Sequence, residues 1–267
     1  LQILSNGAIA FDGQSKQYKA NLFPNGTRII APFYNRNDLR NGGKIFFREI
    51  RSGRVLERGQ SEIRYQYEQS LQLLSAVVVT WEKMQPVGAK PLPSQNTNTF
   101  QAALFITKNR TFANFIYSNI GWTQGAEAGF NRGDGMAHYA LPTSGTGQIM
   151  YLEEYGNTGI PGEWMFELAD SAIIRCKAGV RGDTCDQECE RGSWGADCAA
   201  CCHCSGESCE SVTGSCAKQG GCGSCWEGVS CQLNVNECEE QPRVCHEHAI
   251  CTNTPAVSSA NAKRDSL

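Results

Sequence analysis

Short apolar runs separated by turn signals fill roughly the first two-thirds of the chain, and then the pattern stops. Runs rich in β-branched and aromatic residues predict strands over Arg28–Tyr34, Lys44–Ile50, Ala76–Glu82, Thr99–Thr107, Thr111–Ser118, Gln148–Glu153 and Glu163–Leu168. Between them, Asn6-Gly7, Asn25-Gly26, Asn41-Gly42-Gly43, Gly133-Asp134-Gly135 and Gly156-Asn157 suit turns whose backbone takes positive φ. One stretch has a different period. Over Ser61–Ala76, the residues Ile63, Tyr67, Leu71 and Leu74 recur at helical spacing, with Ser61 placed to cap the start. The pattern predicts a mainly β (α+β) domain, an antiparallel sheet with one amphipathic helix packed on it.

Composition explains where the pattern stops. All 15 cysteines of the 267-residue chain lie between Cys176 and Cys251, whereas the last of the 8 tyrosines and 11 phenylalanines is Phe166. Two kinds of domain therefore meet near residue 175. The first is long enough to bury a core of its own. The second has only Trp194 and Trp226 as aromatics, so covalent bonds or metals must hold it. A net charge of −3 and a pI near 5.9, without a basic cluster, argue against a nucleic-acid surface. No apolar run approaches the ~20 residues that span a bilayer. The chain opens at Leu1 without a basic-then-apolar leader and is read as a piece of a larger product.

Cysteine at this density fits a disulfide framework in an oxidising compartment or zinc modules in a reducing one. Cys198-Ala-Ala-Cys201 and Cys222-Gly-Ser-Cys225 have zinc-knuckle spacing, and His203 sits between Cys202 and Cys204. Here, however, cysteines recur every few residues interleaved with glycines, without the long intervening stretch of a zinc ribbon. Disulfides are the better reading, although spacing alone does not give their connectivity. Asn25-Gly-Thr27 and Asn109-Arg-Thr111 are glycosylation sequons in expected surface turns, at Asn25 and Asn109.

The first part also carries an ordered series of motifs. It runs Ser5-Asn-Gly-Ala-Ile-Ala-Phe11, Phe23-Pro24, Ile29-Ile-Ala-Pro-Phe-Tyr34, Gly42-Gly43, Phe46-Phe-Arg-Glu49, Val79-Thr-Trp-Glu82 and Asn98-Thr-Phe-Gln101. It continues with Phe115-Ile-Tyr117, Ile120-Gly-Trp122, Ala128-Gly-Phe-Asn131, Gly133-Asp-Gly135 and Gly162-Glu-Trp-Met-Phe166. The series resembles the nidogen-type extracellular domain over residues 1–170. That domain occurs in nidogens, tectorins, certain mucins and related matrix proteins, with no catalytic activity associated with it. The resemblance is to this domain and not to the laminin- or collagen-binding parts of nidogens, so it implies neither partner. Two departures stand out. Where the family often reads Trp-x-Asp-x-Asp, this chain has Tyr34-Asn-Arg-Asn-Asp38, with Arg36 at an acidic position. The segment before Asn6-Gly7 is short, which would leave a strand edge unpaired.

Residues 176–231 resemble EGF-like modules of laminin or multiple-EGF type. Gly179-Val-Arg-Gly182-Asp-Thr-Cys185, Arg191-Gly-Ser-Trp-Gly195-Ala-Asp-Cys198 and Cys209-Glu-Ser-Val-Thr-Gly-Ser-Cys216 carry the likeness. Adjacent Cys201-Cys202, the extra Cys222 and a short Cys225–Cys231 loop depart from it. Residues 234–255, with Asn234-Val-Asn-Glu-Cys238, Cys245, Cys251 and Asn253, resemble the start of a calcium-binding EGF-like module. Calcium prefers several hard oxygens at once. By position the resemblance implies Asn234, Glu237 and Asn253 as side-chain ligands and the Val235 carbonyl as a further one. It also implies a Cys238–Cys251 bridge that leaves Cys245 unpaired. The family's remaining cysteines are missing, so calcium binding is expected to be weak or lost, and the polar tail 256–267 is expected to be disordered.

Arg-Gly-Asp occurs at Arg132–Asp134 and at Arg181-Gly182-Asp183. Exposed, either could bind an integrin, Arg181-Gly182-Asp183 being the better placed. Both also fall inside motifs already needed for structure, which is the stronger reading. Catalytic signatures are missing: no Gly-x-Ser-x-Gly, no His-Glu-x-x-His and no phosphate-binding glycine loop. His246-Glu-His248 reads as a solvated turn, Glu153-Glu154 as a charged strand edge and His138 as structural. The chain therefore reads as a non-enzymatic, secreted extracellular-matrix or cell-surface protein acting in cell–matrix adhesion, with matrix or cell-surface proteins as partners. The alternative is the ectodomain of a multiple-EGF-like receptor or scavenger-type protein, and a transmembrane helix in the full-length product would decide for it.

Overall fold

The computed structural model describes residues 1–11, 23, 26–88, 90–135, 137–170, 172–206, 208–216 and 220–236. They form two compact units: residues 1–176 with 183–185, and the described residues of 177–182 and 186–267.

The first unit holds two antiparallel sheets. One is built from β1 (Gln2–Leu4), β2 (Ala8–Ala10), β3 (Ile29–Tyr34), β8 (Glu127–Asn131) and β9 (His138–Ala140), hydrogen-bonded in that order. The other runs β11 (Ile173–Ile174), β10 (Glu163–Leu168), β7 (Thr111–Ile120), β6 (Asn98–Ile106), β5 (Ser75–Met84) and β4 (Lys44–Ile50). Side chains alternate between the faces of a strand, and each face of this second sheet has its own core. Val79, Trp81, Phe100, Leu104, Phe115, Tyr117, Trp164 and Phe166 meet Ile9, Ile30, Phe33 and Phe130 between the sheets. The intervening positions Ala76, Val78, Ala103, Phe105, Phe112 and Met165 pack under the helix α1 (Arg54–Tyr67) with Ile63 and Tyr67. The result is two sheets face to face, with one helix on the outer face of the larger sheet.

Every buried tryptophan of this core finds an acceptor, as the cost of an unpaired donor requires. Trp81 Nε1 donates to the Leu4 carbonyl at 2.9 Å, Trp122 Nε1 to Met84 at 3.0 Å and Trp164 Nε1 to Leu152 at 2.8 Å. Two of these bonds reach between distant parts of the chain and so set how the layers lie on each other. The Asn6-Gly7 turn between β1 and β2 also serves packing. Gly7 has φ +87°, and a Cβ there would lie 2.1 Å from the Phe33 carbonyl oxygen.

Two elements differ from the sequence reading. The helix spans Arg54–Tyr67 rather than Ser61–Ala76, and Ser61 is not its cap: it lies mid-helix, its hydroxyl bonded to the Glu57 carbonyl at 3.1 Å. Ile63 and Tyr67 do face the sheet, but the buried stripe extends backward through Gly59 and the half-buried Val55 and Leu56. Glu68 takes a left-handed conformation, φ 56°, and ends the helix, so Leu71 and Leu74 lie beyond it, before β5. Gln148–Glu153 is not a strand but a 3₁₀ turn, Gly147–Met150, running into a single helical turn α2 (Tyr151–Glu154). Glu153 and Glu154 thus lie on helical backbone, and the Glu153 carboxylate accepts the Ile120 amide at 2.8 Å. Arg36, which stands where the family is acidic, is exposed, while its neighbours Asn35 and Asn37 are buried. The replacement therefore buries no charge.

Candidate functional site

In the second unit three two-stranded hairpins pair β12 (Val180–Arg181) with β13 (Gln187–Glu188), β14 (Ser193–Trp194) with β15 (Ala200–Cys201), and β16 (Trp226–Glu227) with β17 (Leu233–Asn234). Ladders this short do not hold themselves in water. Disulfides hold them: Cys189–Cys198, Cys202–Cys209, Cys204–Cys216 and Cys222–Cys231 in this unit, and Cys176–Cys185 in the first. Cys198 and Cys222, half of the two zinc-knuckle pairs, are consumed by these bonds. The described part of the region is thus a disulfide-rich segment consistent with small EGF-like modules. Cys201 is exposed and forms no disulfide among the described residues. The imidazole of His203 stacks on Trp226, centroids 3.7 Å apart, and Gly214 has no side chain because a Cβ there would meet the Trp194 ring at 2.3 Å.

Of the sequence-predicted calcium ligands, Asn234 and Val235 are described. Both anchor to Cys225, whose carbonyl accepts the Val235 amide at 3.0 Å and the Asn234 side-chain nitrogen at 3.4 Å. The Asn234 side-chain oxygen, the atom a calcium ion would use, is not engaged in that bond. Glu237, Asn253, Cys238, Cys245, Cys251, His246 and His248 lie outside the described residues, as do Asn25 and the tail. Asn109 is exposed in the turn between β6 and β7, where Thr107 and Arg110 close the loop at 2.9 Å.

Both Arg-Gly-Asp triplets are internally engaged. Arg132 and Asp134 form an ion pair at 3.0 Å, and Asp134 also accepts the Ala137 amide at 2.8 Å. Arg181 pairs with Glu190, and Asp183 lies 4.0 Å from the Arg175 guanidinium. His138 is exposed on β9, at the rim of an apolar cleft of about 840 Å³ where the two sheets part, lined among others by Ile30, Leu104, Phe130 and Leu168.

A polar cluster beneath α1 went unnoticed in the sequence. Asn114 of β7 and Glu163 of β10 are buried on the helix-facing side of the sheet, the Asn114 side chain donating to Glu163 at 3.0 Å. Arg58 of α1 stands 3.8 Å from Glu163 and bonds Glu62 at 2.5 Å. With Arg48 and Gln101 these residues line a cavity of about 160 Å³. Burial first, and the nearby Glu62 second, push the Glu163 carboxyl above its ordinary value. The signal was available: Glu163 and Glu167 alternate with Met165 in a strand whose other positions are apolar. Among the described residues no three His, Cys, Asp or Glu side chains converge as a metal cage.

A family model described as a nidogen-like domain matches residues 1–170. Dendrite extension defective protein 1 of Caenorhabditis elegans is 54% identical over 301 aligned positions, covering 96% of this chain and 26% of that protein. Alpha-tectorin of Gallus gallus is 32% identical over 67% of this chain and 9% of its own length. Nidogen of Drosophila melanogaster is 33% identical over 63% of this chain and 14% of its own length. The chain spans about a quarter of the first relative and less of the others. No solved structure matches it.

Proposed function

The chain belongs to the nidogen-like domain family, and from that premise we propose that it is part of a non-enzymatic extracellular protein working by adhesion in the matrix or at the cell surface. The observation that carries this reading is the order of its parts: a nidogen-like β domain with its own core, followed by a segment in which disulfides replace a core. Disulfides persist in oxidising surroundings, which supports an extracellular site. Similarity to Dendrite extension defective protein 1 along almost the whole chain supports a part in dendrite extension or a related process.

The test is a spreading assay on surfaces coated with the chain. Saturable attachment, competed by soluble chain, is expected, and inert surfaces would overturn the reading. Integrin capture by Arg181-Gly182-Asp183 is the lesser reading, because both charged residues already face partners. Asp183→Glu is expected to leave attachment unchanged, and its loss would put the integrin reading first.

The proposal extends to calcium at Asn234, the Val235 carbonyl, Glu237 and Asn253. One carboxylate among three side chains supports weak binding at best, near the ~10⁻⁴–10⁻³ M of extracellular modules. Calorimetric titration measures it. Tighter binding that Glu237→Ala abolishes would show a better-formed site than this ligand set supports.

A further inference from the structure

β4 is the outer strand of the larger sheet. It is paired with β5 along all of Lys44–Ile50 without a register shift, and no described strand lies on its other side. Edge strands are ordinarily blunted by shortness, proline, a bulge or charged side chains. β4 is seven residues long, without proline or bulge, and its charges Lys44, Arg48 and Glu49 flank an apolar centre rather than cover it. Its centre carries two adjacent aromatics, Phe46 at 52% and Phe47 at 71% exposure. Alternation distributes its side chains between the faces. Ile45 packs on the inter-sheet core and shares its face with Phe47 and Glu49. Ile50 packs under α1 and Arg48 lines the cavity there, which puts Lys44 and Phe46 on that same helix-facing side.

We propose that β4 pairs antiparallel with β4 of a second copy of this chain, about a two-fold axis normal to the sheet at Phe47, so that the two larger sheets join into one. Such an axis preserves the face on which each side chain stands, so the residues facing each other must share parity. Few registers qualify. Centring on Phe46 sets Lys44 against Arg48, and centring on Arg48 sets two guanidinium groups against each other; both oppose like charges, which destabilises a cross-strand pair. Centring on Phe47 opposes no like charges. It places Phe47 against Phe47 and, twice over, Phe46 against Arg48, where a guanidinium over a ring is favourable. Ile45 then faces Glu49, and Lys44 faces Ile50. The strand is complementary to itself in that register, which is why a second copy is the occupant rather than an unrelated peptide.

The proposal is independent of the adhesive reading. It is tested on the full chain by sedimentation over a range of concentrations, together with a photo-crosslinking benzoylphenylalanine at position 47 in an equal mixture of unlabelled and nitrogen-15 chain. The expected result is a reversible dimer whose mixed-mass cross-links map to residues 44–50. Phe47→Glu, at an exposed position that leaves the core untouched, is expected to weaken association at least tenfold, with unchanged circular dichroism and melting. Arg48→Ala, which removes the ring contact together with one wall of the small cavity under α1, is expected to have a smaller effect on association. A chain that stays monomeric at every concentration overturns the proposal. So does a dimer insensitive to Phe47→Glu, or one whose cross-links fall outside β4.

Discussion

Glu163 shows how far one residue's surroundings can oppose its usual chemistry. Its strand turns Trp164 and Phe166 to the inter-sheet core and Met165 to the helix, so the carboxylate shares the helix face with apolar neighbours. Burial and Glu62 favour its protonated form, against the opposing pull of Asn114 and Arg58. The sign follows by linkage. In the unfolded chain the group titrates near 4.5, and in the folded chain it holds its proton to higher pH. Stability is therefore full below the unfolded value and falls as pH rises through the folded one. Glu163→Gln keeps the shape and the Asn114 contact without the charge. It is expected to raise the melting temperature at neutral pH, with the gain fading as pH drops below the ordinary glutamate range. Thermal melts across pH check this, and a variant less stable at neutral pH would show that the Arg58 pair outweighs burial.

At the scale of elements, α1 owes its seat to an absence. Gly59 faces Phe105 of β6, and a Cβ built there lies 2.3 Å from the ring. Alanine is the better helix former by about 1 kcal/mol, but overpacking a close-packed core costs about 1–3 kcal/mol. Packing wins. Gly59→Ala is expected to lower stability in urea unfolding, and Phe105→Leu in the same chain to recover part of the loss. A stabilised single variant would mean the ring moves aside freely. The other end of the helix is fixed by polar contacts that no local pattern announces. Gln66 donates to the Asn157 and Arg175 carbonyls at 2.9 and 3.1 Å, and Asn157 exchanges bonds with Met165 of β10 at 2.8 Å. These tie the helix C-terminus to the loop before β10, to β10 itself and to the residue after β11.

At the scale of the molecule, two sources of stability sit side by side in one chain. The first unit has an extensive apolar core and no cysteine before Cys176, whereas the second has short hairpins closed by loops of 7 to 12 residues. Loops of that size gain about 2–4 kcal/mol each from their cross-links. Reduction should therefore act unequally. Under a thiol reductant, hydrogen exchange is expected to accelerate across the described residues beyond Asp186, while the sandwich keeps its protection and a cooperative melt. Collapse of both together would show that residues 1–170 do not stand alone.

Much of this architecture was legible because strand composition is local. β4 and β10 have the predicted bounds, and β3, β5, β6 and β7 lie within two residues of theirs, since each is rich in β-branched or aromatic residues. The shift from aromatic to cysteine content also marked, in the sequence alone, where packing gives way to cross-linking. What stayed hidden were strands without that signal. β8, Glu-Ala-Gly-Phe-Asn, has one aromatic and no β-branched residue to mark it as a strand. β1, β2 and β9 are three residues each, and the apolar run around Ile149–Leu152 fits a strand or a helix equally until its neighbours choose. Only the tertiary structure brought Arg58 and Glu62 of the helix to Glu163 and Asn114 of the sheet, and only the strand order left β4 outermost. Both depend on which strand pairs with which. That choice is decided by the burial of two faces at once, across separations of up to a hundred residues that no local pattern spans.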